Sequence, residues 1–120
     1  MTKYPHVDKL IDQASKMTRQ QAVALHAAAV NAEGPAWDAA GAACVKAAND
    51  SAQLEAAGEA ELAAWEAGWV AVYQGTAEIG PYSAGLSAGR AALALAFRDL
   101  ITVEQFATLT APWVSVMGEL

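Results

Sequence analysis

Gly85-Leu86-Ser87-Ala88-Gly89 has the spelling of the Gly-x-Ser-x-Gly nucleophile elbow, in which a strained strand-to-helix turn lifts a serine toward an acid and a histidine. The surroundings argue against that chemistry. No strand is expected before the motif, and neither histidine, His6 or His26, follows Ser87 as the Ser, acid, His order requires. Two glycines four residues apart are instead expected to let one helix come close to another. A helix bundle can also hold two metals through inward Glu-x-x-His pairs, but the residues three before the histidines are Lys3 and Val23. Glu55 and Glu59 stand one turn apart, as a general acid and base would, yet no basic group lies near them in sequence, and a solvated pair is expected. His26, among Leu25 and Ala27 to Ala29, reads as a boundary histidine. Cys44 shares a face with Trp37 and Gly41 and reads as a small buried hydrophobe, with only Lys46 close enough in sequence to activate a thiol. No catalytic residue, no metal ligand and no cofactor are expected.

The aromatic residues are the better candidates for function. Four tryptophans in a 12.4-kDa chain can fill the core that alanine is too small to fill, or lie at a partner site, where Trp and Tyr concentrate binding energy. The core is expected to take most of them. Trp65, Trp69 and Tyr73, each one turn from the next, form the strip best suited to binding.

The elements that position these residues are helices. Alanine loses no side-chain entropy in a helix, and 31 of the 120 residues are alanine. From Ala36 to Ala96 every fourth position carries a small residue or nearly so, with Gly68, Gly80, Cys44, Val72 and Thr76 interrupting the alanines. A period of four drifts about 40° per unit against a turn of about 3.6 residues, so this track is expected to wind round the surface and leave the large residues to define the core.

Val7, Leu10, Ile11 and Ala14 follow the i, i+3, i+4, i+7 pattern and predict a first helix over about residues 6–16. Thr18-Arg19-Gln20-Gln21 spells a capping box, which opens a second helix expected to stop at Gly34-Pro35. A third is expected from Ala36-Trp37, presenting Trp37, Gly41, Cys44 and Ala48 as a seam, with a break near Asn49-Asp50-Ser51 or Gly58. Leu62, Trp65, Trp69, Val72, Thr76 and Ile79 alternate three and four apart and predict a fourth helix over about residues 59–79. After Gly80-Pro81, the residues Tyr82, Leu86, Gly89, Leu93, Ala96 and Leu100 continue the alternation in a fifth, so the two form an antiparallel hairpin. Arg98-Asp99 is expected to pin its end as a surface pair. Thr102-Val103-Glu104-Gln105 is a second capping box, with Ile101 and Phe106 placed as a hydrophobic staple, and opens a last helix that buries Phe106, Leu109 and Trp113.

The formal charge of −6 divides as +2 over residues 1–19, −7 over 20–89 and −1 over 90–120. The acidic middle lacks the basic footprint that nucleic-acid binding needs; only the basic N-terminal segment leaves a remote DNA-binding reading open. A single cysteine fits a reducing compartment. Met1 to Leu10 has no apolar core of a secretory signal, and the longest stretch without a charged residue, Gln105 to Gly118, is too short to span a bilayer. A cytoplasmic protein with no membrane partner is expected.

Residues 92–113, ending Arg98-Asp99-Leu100-Ile101 and then Phe106-x-x-Leu109-x-x-Pro112-Trp113, together with Ala36-Trp37-Asp38-Ala39 and Ala64-Trp65-Glu66-Ala67, carry a resemblance. The chain resembles a group of alanine-rich helical proteins of actinobacteria and their phages, which have degenerate Ala-Trp-Asp-Ala tetrads and the same tail. The likeness covers most of residues 36–113. It implies an actinobacterial or phage origin and no catalytic residue.

The sequence therefore predicts an all-α, single-domain antiparallel bundle of five to six helices over residues 1–120. The expected function is non-catalytic: a protein-interaction module, of the kind a phage or mobile element uses to modulate a host protein, with a protein partner or a homodimer. The alternative is a small apolar-ligand binder or an enzyme with a pocket between helices.

Overall fold

The computed structural model describes residues 4–47, 50–75 and 81–120, and the side chains of these apart from 31–33, 47, 51, 72–75 and 81–83. The described residues form an all-α bundle of five helices: α1 (Pro5–Ser15), α2 (Arg19–Ala47), α3 (Ser51–Gly75), α4 (Pro81–Ala96) and α5 (Val103–Met117). None of them is long and apolar enough to cross a membrane.

The helix starts follow local chemistry. The Thr18 hydroxyl accepts from the Gln21 amide at 3.2 Å, while the Gln21 side chain accepts from the Thr18 amide at 2.9 Å. The same reciprocal pair joins Thr102 and Gln105, at 3.0 and 2.9 Å. Ile101 and Phe106, the residues of the expected staple, both pack against the cluster of Ala39, Ala94 and Leu109. Asp50 caps α3 by accepting from the Gln53 amide at 3.0 Å, so the third break falls at Asp50 and not at Gly58. On α1, Val7, Leu10 and Ala14 are buried as the periodicity predicts.

Gly34-Pro35 does not stop a helix. α2 runs 29 residues through Pro35, which forfeits one backbone donor. Two features accommodate it: Pro35 is exposed, and its neighbours Ala36, Ala39 and Ala43 are buried and pin this stretch of the helix to the bundle. The second and third helices of the sequence reading are one. The expected seam of Trp37, Gly41 and Cys44 also faces the wrong way for a core, since all three are exposed; Ala48 lies outside the described residues.

α4 is the centre of the bundle and touches the other four helices, α3 most extensively. Nearly every described side chain from Ala84 to Phe97 is buried, Leu86 and Leu95 being half-buried. Only Ser87 and Arg90 are polar in that run, and a helix apolar all round belongs inside. α4 ends at Ala96, short of the Leu100 of the expected seam, and Phe97, fully buried, begins the turn into α5. Arg98 and Asp99 are exposed there, the Arg98 guanidinium lying 4.9 Å from the Phe106 ring centre.

The alanine track is part of the core after all. Ala60, Ala64 and Gly68 on α3 and Ala84, Ala88 and Ala92 on α4 are all buried. Two units of four drift by only about 80°, short enough to stay on one face. The glycines set the spacing: a Cβ on Gly68 would lie 3.0 Å from the Ala84 carbonyl oxygen, one on Gly85 2.9 Å from that of Trp65, and one on Gly89 3.3 Å from that of Glu61. As α4 advances its partner on α3 recedes, which makes the pair antiparallel, as expected. The large residues of the predicted α3 seam are displaced outward, with Leu62 56% exposed and Trp65 and Trp69 half-buried. Positions 76–80, which include Thr76, Ile79 and the glycine of the expected turn, lie outside the described residues, as do the side chains of Val72 and Tyr82.

Candidate functional site

The closeness of α3 and α4 decides what the aromatic strip can do. With small residues filling the contact, the indoles cannot enter it and are lifted to the rim. Trp65 and Trp69, one turn apart on α3, stack there with ring centres 4.8 Å apart and planes inclined by 22°. Trp65 also covers Gly85 and Gly89, its ring atoms lying 3.3 Å from where a Cβ would stand on either. Beside the stack, Glu61, Leu62, Trp65 and Leu86 line an open cleft of about 350 Å³. A second open cleft, about 400 Å³ and lined by Ser15, Ala63, Glu66, Ala67, Val70 and Ala71, has no aromatic wall. Of the three predicted binding residues, Trp65 and Trp69 are thus brought together as a stack, and Trp65 lines the cleft. The Tyr73 side chain lies outside the described residues.

Two charged groups escaped the sequence reading. Glu61 is half-buried at the edge of the cleft, and burial raises its carboxyl above the ordinary glutamate range, an effect partly offset by the positive charge of Arg90. Arg90 itself is buried in α4. Twenty-nine residues separate the two, so no local pattern joins them; the α3–α4 register, which sets Gly89 against Glu61, does. The detectable signal was Arg90 itself, a lone cation in an otherwise apolar run.

The nucleophile candidates lack the surroundings that would activate them. Among the described residues no strand precedes Ser87, which lies inside α4 and is buried, with no partner there for its Oγ. The glycines flanking it serve the close approach to α3 instead. Cys44 is exposed on α2, contrary to the expected burial, because the buried side of that helix is the alanine side. Partial desolvation, and then the negative charge of Glu61, push its thiol upward, which disfavours the reactive thiolate. Glu55 and Glu59 are exposed, and so are His6 and His26. Among the described residues no three of His, Cys, Asp and Glu gather closely enough to hold a metal ion.

Trp113 is fully buried in the main core, with its indole Nε1 unpartnered, while Trp37 is 72% exposed. The four tryptophans thus divide into one core residue, one stacked pair at a rim and one surface residue. Comparison of the chain with protein-family models, curated proteins and solved structures returns no match.

Proposed function

We propose that the protein is a non-catalytic interaction module that takes a protein partner on the face formed by Leu62, Trp65, Trp69 and Leu86. The observation that carries this reading is the stacked, half-buried Trp65–Trp69 pair beside an apolar cleft. Binding hot spots are rich in tryptophan and work best when the anchor is already rigid in the free protein. Here the Trp65 ring rests on Gly85 and Gly89, whose backbone cannot move without parting α3 from α4. Glu61 at the cleft and the other glutamates of α3 favour a partner with a basic rim. The resemblance to alanine-rich phage and actinobacterial proteins supports a role in modulating a host protein, and the exposed unpaired Cys44 supports action in the reducing cytoplasm.

The cleft favours a second reading, because its volume of about 350 Å³ is that of a small-ligand site. Partners purified from the source organism separate the two. A protein that binds the purified chain stoichiometrically is expected to lose at least tenfold in affinity on Trp69→Ala and on Leu62→Glu, a loss of about 1.4 kcal/mol or more. Equal affinity for both variants and the original chain would refute the proposed face. Saturable quenching of tryptophan emission by a small apolar molecule, without any protein partner, would favour the ligand reading.

A further inference from the structure

The seam of Trp37, Gly41 and Cys44 is turned to solvent, and it extends toward the start of α2. Val23, Ala27, Val30, Gly34, Trp37, Gly41 and Cys44 alternate four and three residues apart along α2, and all seven are exposed. This is the spacing of a helix that packs on another helix, on the solvent side of α2, with its Cys44 end within electrostatic reach of Glu61 on α3. It spans about 32 Å at 1.5 Å per residue. No charged residue occupies it, and bulky and small residues alternate along it; a Cβ on Gly34 or Gly41 would meet nothing within 4 Å.

We propose that this face is the contact between two copies of the chain, packed with their α2 helices antiparallel. Charge argues for a second copy. The protein carries −6 overall, yet α2 holds Arg19, Glu33, Asp38 and Lys46 and is neutral, whereas the charged residues of α3 are Glu55, Glu59, Glu61 and Glu66. Two acidic molecules meet at least electrostatic cost where each is neutral. Shape argues for the direction. With the two-fold axis between Pro35 and Ala36, Trp37 faces the partner subunit's Gly34, Val30 faces the partner subunit's Gly41, and Cys44 faces the partner subunit's Ala27. Val30, Trp37 and Cys44 each meet a hollow, and the same patch serves both copies, as a two-fold interface requires. A parallel pair in register would instead set Trp37 against the partner subunit's Trp37 and glycine against glycine. A face about 32 Å long and one helix wide is at the small end of specific interfaces, so the dimer is expected to dissociate in the micromolar range.

Sedimentation equilibrium from low micromolar to near-millimolar concentration is the test. The original chain should show a concentration-dependent dimer. Trp37→Glu, at an exposed position, should weaken association at least tenfold with helicity unchanged by circular dichroism, while Val103→Glu on α5 and Leu62→Glu at the tryptophan cleft should leave it intact. Ala27→Cys, with Cys44 present, should give a disulfide-linked dimer under mild oxidant; the original chain should not. A monomer at all concentrations would overturn the proposal, as would a dimer that survives Trp37→Glu. A Cys44–Cys44 cross-link in the original chain would overturn the antiparallel arrangement. Since Leu62→Glu tests the tryptophan cleft separately, failure here leaves the proposed function standing.

Discussion

The α3–α4 contact and the outer face of α2 are built from the same materials and have opposite fates. Each sets glycine and alanine beside tryptophan on a regularly spaced helix face. In the first, the glycines are pressed against a neighbouring backbone, to the point that a Cβ on Gly85 would lie 2.9 Å from the Trp65 carbonyl oxygen. In the second, Gly34 and Gly41 face open space and Trp37 stands in solvent. The difference shows that such a pattern marks a face able to receive a helix, and does not tell whether the chain itself supplies one. Small residues permit close approach; only a partner converts that permission into burial.

Tryptophan truncation gives the largest contrast. Trp113→Ala empties a fully buried site and is expected to lower stability by about 3–5 kcal/mol, the usual range for such a cavity. Trp37→Ala, measured by urea unfolding at a protein concentration low enough to keep the chain monomeric, should stay within about 0.5 kcal/mol. Similar losses at both positions would mean that Trp37 is held by the monomer, and the contrast between the regions would collapse.

Glycine to alanine should reverse sign between the two regions. At Gly85 the added methyl group meets backbone that can yield only if the helices part, so a loss of about 1–3 kcal/mol is expected. At Gly41 the same change meets nothing and removes backbone freedom from the unfolded chain, so a gain of about 0.5–1 kcal/mol is expected. Thermal melts of the two variants side by side suffice, and a shift of the same sign in both would break the comparison.

The helix caps should be indifferent to region. Thr102→Ala and Thr18→Ala each remove one side-chain acceptor from an exposed box of the same geometry, and each should cost about 1 kcal/mol. A markedly larger loss at one threonine in denaturant titrations would show that its box carries tertiary contacts besides the cap.

The smallest effect sharpens the electrostatics of the buried contact. Burial raises the Glu61 carboxyl in the folded protein, so the native state holds this proton more tightly than the unfolded chain does. Stability from this group is full below the ordinary glutamate range and is lost as pH rises through the raised folded value. Glu61→Gln should therefore flatten that part of the stability-against-pH curve, while Glu66→Gln on the same helix, at an exposed position, should leave it unchanged. An unaltered curve for Glu61→Gln would mean that Arg90 cancels the desolvation entirely.

The sequence by itself determined what is local. The alanine content imposed helix, since propensity acts residue by residue; Thr18 with Gln21 and Thr102 with Gln105 marked two starts, since a capping box spans one turn; and Val7, Leu10 and Ala14 marked the buried side of α1, since periodicity is a property of a single helix. Only the tertiary structure decided which side of each small-residue track was used. Alanine and glycine bear almost no side chain to declare inside from outside, so the fate of Gly41 and Gly85 depended on where another helix lay. The same holds for Pro35, carried through a helix because its neighbours Ala36, Ala39 and Ala43 are buried against the bundle, and for Glu61 and Arg90, joined by a register no local pattern encodes. The tryptophans followed from that choice: once α3 and α4 met through residues without bulk, Trp65 and Trp69 had no room between them and were left at the rim.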